Sequence, residues 1–164
     1  MSIIVKNKHT LIFDEFKFKC CVGARGLTKN KIEGDKKTPR GIYNIGNLYY
    51  RSDRNIRPKT NLRIINIKKD MGWCDDVKSK EYYNKQIKIS SNLKHEKLFR
   101  KDQKYDYFIP IKYNWKNRIL KKGSAIFIHL TKNYKPTAGC IGLLKKDFLI
   151  LIKLIKKNTK IKII

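Results

Sequence analysis

Cys140 is the residue of this sequence whose surroundings best suit covalent chemistry. It lies in a run of small residues, Thr137-Ala-Gly-Cys-Ile-Gly142, directly after Pro136. Small residues let a backbone turn sharply and let a substrate approach it closely. We expect this turn to lead into a helix, where free backbone N–H groups would favour a thiolate and receive a developing oxyanion.

His129 is the matching candidate for a base. It ends the apolar run Ser124–His129, eleven residues before Cys140, so the chain must loop back from the strand to reach the cysteine. An imidazole beside a thiol is the pairing that activates a cysteine nucleophile. Spacing alone leaves a second interpretation open, in which His129 only ends a strand and Cys140 is an inert buried residue.

The other cysteines and histidines form no recognisable metal motif. No Cys-x-x-Cys pair occurs, and Cys20 and Cys21 are adjacent with no matching pair elsewhere in the sequence. We therefore expect no metal ion at these residues, and nucleophilic chemistry at a cysteine needs no organic cofactor.

Positive charge dominates the composition. The 164 residues include 40 Lys and Arg but only 13 Asp and Glu, which gives a formal net charge of +27. Such a charge favours polyanionic partners such as envelope polymers, lipid head groups or nucleic acids. The many Lys, Ile and Asn residues are equally typical of an AT-rich genome, without selection for any partner. Because no RNA-binding or helix-turn-helix pattern is visible, we expect no specific nucleic-acid partner.

The length of the chain predicts one domain, residues 1–164, in which 41% hydrophobic residues can fill a core. No apolar run reaches the roughly 18–20 residues that a transmembrane helix needs. The segment Met1–Lys6 lacks the basic lead and long apolar middle of a secretory signal, so we expect no signal peptide in this chain. We also expect a monomer.

Strand-like alternation dominates the chain and predicts a mainly β fold, a β-sandwich or mixed sheet with a few short helices and one C-terminal helix. Helical spacing of apolar residues is clear in Lys145–Lys157, and Ser90–Arg100 is expected to contain a short helix. Lys160–Ile164 is typical of a closing strand. The other predicted strands are Ser2–Lys6, Thr10–Phe13, Phe16–Val22, Gly41–Arg51, Leu62–Ile67, Gln86–Ile89, Tyr105–Tyr113 and Ser124–Leu130.

Further motifs follow one another along the chain. They are Gly23-Ala-Arg-Gly26, Glu33-Gly-Asp-Lys-Lys-Thr-Pro-Arg-Gly-Ile-Tyr43, Tyr50-Arg-Ser-Asp-Arg54, Asp70-Met-Gly-Trp-Cys-Asp-Asp76, Tyr83-Asn84, Tyr105-Asp106, Gly123-Ser-Ala-Ile-Phe-Ile-His129 and Thr137-Ala-Gly-Cys140. As an ordered set, with the histidine before Gly-Cys, they resemble the L,D-transpeptidases of the YkuD type, in particular the compact Gram-negative branch. The resemblance covers nearly the whole chain and implies a YkuD-like fold.

The resemblance also implies a reaction, L,D-transpeptidation of donor and acceptor peptidoglycan stem peptides. Cys140 would be the nucleophile that attacks the carbonyl of the third stem residue, and His129 would exchange the proton as D-Ala leaves. The backbone N–H groups of Gly139 and Cys140 would stabilise the oxyanion. An amine of a second stem would then attack the thioester to form a cross-link, and a carbapenem would acylate the same sulfur.

The sequence departs from the family's usual motif around the cysteine. That motif is Ser-His-Gly-Cys followed shortly by Arg or Asn, whereas this sequence has Thr137, Ala138 and Gly142 at those positions. The carboxylate of the donor therefore lacks its usual arginine. Arg51, Arg54 or Arg100 is expected to bind this carboxylate instead, and Trp73 is expected to bind substrate as a wall of the cleft.

Two other functions stay open on the sequence. With water as acceptor, the same nucleophile would make the protein an L,D-carboxypeptidase or a hydrolase of a link between wall and lipoprotein. Alternatively, the chain is a non-catalytic basic module that binds a polyanion. The transpeptidase interpretation implies roles in peptidoglycan biosynthesis, cell wall biogenesis and cell shape, and a location in the periplasm or cell envelope.

Overall fold

The computed structural model describes residues 1–89 and 92–164, which form 15 strands and one helix. The mainly β architecture with its C-terminal helix confirms the predicted fold class. The helix is α1 (Lys145–Leu154), and the strands are β1 (Ser2–Lys6), β2 (Thr10–Phe13), β3 (Phe16–Lys19), β4 (Leu27–Thr28), β5 (Thr38–Pro39), β6 (Gly41–Asn44), β7 (Leu48–Tyr50), β8 (Ile64–Asn66), β9 (Met71–Cys74), β10 (Gln86–Lys88), β11 (His95–Lys97), β12 (Tyr107–Pro110), β13 (Phe127–Leu130), β14 (Ile141–Leu143) and β15 (Lys160–Ile163).

These strands form three sheets and a short ribbon. The first sheet has the order β3-β2-β1-β15-β6, with the first and last strands of the chain paired in parallel at its centre. The second sheet has the order β14-β13-β12-β7-β8, and β13 and β14 are parallel neighbours at one edge. The third sheet has the order β10-β9-β11, while β4 and β5 form the ribbon.

The second sheet separates two hydrophobic cores. Ile126, Ile128 and Leu130 enter the core that the second sheet shares with the first sheet and α1. Phe127 enters the opposite core, together with Trp73 of the third sheet. Because successive strand side chains point to opposite faces, β13 is buried at every position and its sequence is almost continuously apolar. The second sheet is therefore a rigid, doubly covered support for any group at its edge.

The helix α1 packs an apolar stripe on the first of these cores. Phe148, Leu151 and Ile152 are its buried residues, and their spacing is the helical period that the sequence predicts. The helix is shorter than the predicted Lys145–Lys157 because the backbone becomes extended at Ile155, a fully buried residue that leads towards β15.

The short helix expected within Ser90–Arg100 is wrong over residues 92–100, while Ser90 and Ser91 lie outside the described residues. The segment His95–Lys97 forms β11 and pairs with β9 in antiparallel register. Leu98, just after this strand, is completely buried in the core of the third sheet. Pairing and burial thus override the weak local helix preference.

The predicted strand Gly41–Arg51 is in fact two strands in different sheets. β6 pairs with β15 in the first sheet, whereas β7 pairs with β12 in the second. The chain crosses between the sheets at Gly46, whose N–H donates to the carbonyl of Pro110 at 2.7 Å. Every other predicted strand is present, several with shorter ends. In the described part of the chain, no helix has the length and apolarity needed to span a bilayer.

Candidate active site

The edge of the second sheet brings Cys140 and His129 to one face. Cys140 directly precedes β14, and His129 lies in β13 opposite Gly142. Continuing this register by two residues puts Phe127 beside Cys140, and the Phe127 N–H indeed donates to Cys140 Sγ at 3.3 Å. Side chains two positions apart on a strand share a face. His129 and Cys140 are therefore diagonal neighbours on the face that carries Phe127.

The expectation that the Cys140 turn leads into a helix is wrong. The strand β14 follows the cysteine, and α1 begins only at Lys145. No helix N-terminus acts on the sulfur in this arrangement. Its polar contacts are instead the Phe127 N–H, which donates to it, and the carbonyl oxygen of Ala125, which accepts from the S–H at 3.2 Å.

Burial keeps both members of the pair uncharged at rest. Cys140 is 7% exposed, and burial, together with the negative charge of Glu96, raises the pKa of its thiol to about 12. Burial and the positive charge of Lys104 lower the pKa of His129 to about 3. At neutral pH the site therefore holds a thiol and a neutral imidazole, not a preformed thiolate–imidazolium pair.

The imidazole of His129 is held in one tautomer. Its Nδ1 lies 2.9 Å from the carbonyl oxygen of Leu130, which can only accept, so Nδ1 carries the proton. Its Nε2 is buried and has no hydrogen-bond partner among the described residues. The ring of Tyr105 packs against the imidazole with 5.7 Å between the ring centroids. The lone pair of Nε2 is thus available to accept a proton.

Hydrogen bonds to two threonines fix the turn before the cysteine. The Thr137 hydroxyl donates to the carbonyl of Cys140 at 2.6 Å and accepts from the Gly139 N–H at 3.0 Å. The Thr38 hydroxyl donates to the carbonyl of Gly139 at 2.7 Å. Gly139 has φ +145°, and a Cβ on it would lie 2.9 Å from the carbonyl oxygen of Lys37. The oxyanion role of Gly139 stays a prediction, since its N–H is held by Thr137 here.

Ala125 supports the site with an unusual backbone conformation. Its φ of +51° lies in the left-handed region, which costs a non-glycine residue on the order of 1–3 kcal/mol. Its N–H donates to Asn84 Oδ1 at 3.0 Å, and the same oxygen accepts from Trp73 Nε1 at 3.0 Å. These bonds direct the Ala125 carbonyl to Cys140. Trp73, expected to wall the cleft, is 1% exposed and instead helps to hold Asn84 in place through its Nε1–H hydrogen bond.

Two cavities open beside the pair. The Cys140 cavity has a volume of about 230 Å³, and the His129 cavity has a volume of about 350 Å³. Within the described ranges, no group of three or more His, Cys, Asp or Glu side chains is placed to hold a metal ion. The charged residues lining the Cys140 cavity are Lys31, Glu33, Asp75, Lys94, Glu96 and Lys104. Those lining the His129 cavity are Asp102, Lys104, Lys132, Lys135 and Lys145.

The three arginines expected to bind substrate lie elsewhere. Each guanidinium is engaged by a carboxylate, and none of the three arginines lines the Cys140 cavity or the His129 cavity. Their role in binding substrate stays a prediction. The pairs are Arg51 with Asp53, Arg54 with Asp106, and Arg100 with Asp102.

Sequence patterns do not identify the charged residues that line the Cys140 cavity. Glu96 accepts a hydrogen bond from the Tyr105 hydroxyl. Asp75 has a buried Oδ1 without a partner among the described residues, and burial raises the pKa of this carboxyl. Lys104 is one of 40 basic residues and carries no distinguishing motif. Only the tertiary structure identifies Glu96 and Lys104 as neighbours of the cysteine.

Comparison with known proteins gives evidence on the family of this chain that is independent of the site geometry. The family model YkuD, described as the L,D-transpeptidase catalytic domain, matches residues 2–163. No curated protein matches the chain. The solved structure of Bdellovibrio bacteriovorus Bd1075 aligns with 99% of this chain at a TM-score of 0.50 and 15% identity, which is a likeness of fold alone. This chain covers 47% of that structure, about half of its length. With the family model spanning nearly all of its residues, the chain belongs to the YkuD family of L,D-transpeptidase catalytic domains.

Proposed function

We propose that the protein is a cysteine acyltransferase that carries out L,D-transpeptidation of peptidoglycan stem peptides. The observation that carries the proposal is the pairing at the edge of the second sheet. A thiol and an imidazole with a free Nε2 lone pair occupy diagonal positions on one face, and each borders a cavity. Membership of the YkuD family supplies the substrate class.

In the proposed reaction, the thiol passes its proton to His129 as the sulfur attacks the substrate. As the sulfur of Cys140 bonds to the carbonyl carbon of the third stem residue, Nε2 of His129 takes the thiol proton. The tetrahedral intermediate then collapses, the C–N bond breaks, and the leaving nitrogen of D-Ala takes that proton. The products of this half-reaction are a thioester on Cys140 and free D-Ala.

The second half-reaction reverses the same proton path. An amine of a second stem attacks the thioester carbonyl, and His129 accepts a proton from that nitrogen. The new amide bond forms as sulfur leaves, and the proton returns to Cys140. Water in place of the amine would give an L,D-carboxypeptidase or a wall-link hydrolase from the same groups. We place the reaction in the periplasm or cell envelope, where peptidoglycan lies, and propose that a monomer performs it.

Acylation by a carbapenem tests the nucleophile directly. Brief exposure should add one carbapenem mass to the intact protein, and peptide mapping should locate it on Cys140. The Cys140→Ala variant should show no adduct, whereas Cys74→Ala should behave like the parent, because Cys74 is fully buried in the third sheet. An adduct on Cys74, or none at all, would refute the proposal.

Product analysis then separates transfer from hydrolysis. We expect a stem tetrapeptide to yield free D-Ala and a cross-linked dimer in the presence of an acceptor. His129→Gln should lower the rate by about 10²–10⁴-fold, the usual contribution of a positioned acid–base group. Release of tripeptide without any dimer would assign the protein as a carboxypeptidase. Salt-dependent binding to wall polymer without turnover, unchanged in Cys140→Ala, would favour the non-catalytic module.

A further inference from the structure

The His129 cavity is strongly biased towards anions. Four lysines line it, and its acidic lining residue in the described part of the chain, Asp102, already forms two hydrogen bonds with Arg100 at 2.6 and 2.9 Å. The Cys140 cavity, in contrast, mixes three lysines with three carboxylates. An anionic group on a substrate would therefore be favoured on the side of His129, whereas the balanced charges of the Cys140 cavity give no such preference.

Lys104 lies where the two cavities meet, since it lines both. Its backbone is tied to the site, because its carbonyl accepts from the N–H of Leu130, the residue after His129, at 3.0 Å. Its Nζ lies 5.5 Å from the ring centroid of Tyr105, the ring that packs on His129. The positive charge of Lys104 lowers the pKa of both the His129 imidazole and the Cys140 thiol.

The chemistry of the leaving group indicates which anion would be placed there. The imidazole that protonates the leaving nitrogen must face it, so the leaving residue lies on the side of His129. When that residue is the last of the donor peptide, its carboxylate is only two bonds from the same nitrogen. The anion must therefore come to rest beside His129, at the entrance to the lysine-lined cavity.

We propose that Lys104 binds the C-terminal carboxylate of the donor peptide and thereby restricts the enzyme to removing a single terminal residue. This inference rests on the proposed function and names the residue that recognises the donor's end. Lys104 is the lysine of the His129 cavity that also lines the Cys140 cavity, which favours it over Lys132, Lys135 and Lys145.

A binding experiment with a protein that cannot turn over tests this role. In Cys140→Ala, calorimetry would compare a stem tetrapeptide that has a free terminal carboxylate with its C-terminal amide. We expect the acid to bind at least tenfold more tightly than the amide, which is typical for a charge-assisted contact. Adding Lys104→Ala or Lys104→Gln should abolish this preference, and Lys104→Arg should retain most of it.

Lys101→Ala is the matched control. Lys101 is an exposed residue three positions before Lys104 in the same loop, and its loss changes the net charge equally, but it lines neither cavity. It should keep the full preference for the acid, which separates a local contact from the general attraction of a chain with net charge +27. Thermal unfolding of each variant would verify that the fold is intact.

The outcomes for the two proposals are distinct. Equal binding of acid and amide, a preference that persists without Lys104, equal losses in the Lys101 and Lys104 variants, or no binding of either peptide would each overturn the carboxylate site. Failure of the parent protein to release D-Ala, with the Lys104-dependent preference still present in binding, would refute the proposed reaction and leave the carboxylate site in place.

Discussion

At the scale of single residues, the candidate nucleophile differs from the low-pKa cysteines that exist as thiolates at neutral pH. Many such cysteines sit at helix N-termini, whereas Cys140 precedes a strand, and its burial outweighs the lysines nearby in setting the pKa. The thiol instead donates to the Ala125 carbonyl and receives one backbone N–H. In the proposed reaction, activation of this thiol therefore falls to His129 and the bound substrate.

The pH dependence of alkylation tests this resting state. A thiol with a pKa raised to about 12 gains thiolate steadily as pH rises, so iodoacetamide should modify Cys140 about tenfold faster per pH unit between pH 7 and 10. Peptide mapping by mass spectrometry after timed exposure would measure the rate. A plateau near pH 7 would instead reveal a preformed thiolate. Carbapenem acylation should depend much less on pH in this range, because His129, with its pKa lowered to about 3, stays neutral and accepts the thiol proton as the sulfur attacks.

At the scale of elements, the site is a product of strand register. The parallel pairing of β13 with β14 decides which residues become neighbours of His129, and a shift of one residue would send Cys140 to the opposite core. The turn that ends at Cys140 is held by Thr137 and Thr38 and passes close to the backbone at Lys37. The turn and the two strands therefore act as one unit in positioning the sulfur.

We expect Gly139→Ala to destabilise the turn before Cys140. The new Cβ would meet the Lys37 carbonyl oxygen at 2.9 Å at a φ of +145°, so we expect a loss of about 2–3 kcal/mol in the free energy of unfolding and a matching fall in carbapenem acylation. Urea denaturation would measure the loss. Gly34→Ala is the control, since its φ of +78° is also positive but no atom lies within 4 Å of the new Cβ. A loss in Gly139→Ala no larger than in Gly34→Ala would show that the close approach is unimportant.

At the scale of the whole molecule, the net charge of +27 acts on stability and on encounter with partners. The observed ion pairs use few of the 40 basic side chains. Among the described residues, three pairs involve Arg51, Arg54 and Arg100, and the other two join Lys31 to Asp35 and Lys88 to Asp70. Most of the remaining positive charge is spread over the surface. This charge favours polyanionic partners in general and, at the same time, repels itself within the folded state.

Salt should therefore stabilise the protein. Raising NaCl from about 20 to about 300 mM shortens the screening length several-fold, so we expect the melting temperature to rise by several degrees. Differential scanning calorimetry would measure this change, with a neutral osmolyte at equal osmolality as the control. An unchanged or lower melting temperature would mean that charge repulsion does not limit the stability of the fold.

The fold class of this protein and its candidate reacting residues can both be predicted from local patterns in the sequence. Alternation of apolar residues encodes burial on a sheet, so the mainly β fold and the C-terminal helix follow from local patterns. The small residues around Cys140 and the apolar run before His129 likewise mark a turn and a strand end. These features can be predicted because they depend on residues that are close together in the sequence.

The neighbours of those residues, in contrast, can be read only from the three-dimensional fold. Whether a strand or a helix follows Cys140, which sheet receives each half of Gly41–Arg51, and whether His95–Lys97 pairs with β9 all depend on partners distant in sequence. The pairing of charged side chains also depends on the fold, because a carboxylate neutralises the cation that the fold places beside it. The expected arginines are each paired in this way, while Lys104 reaches the junction of the two cavities.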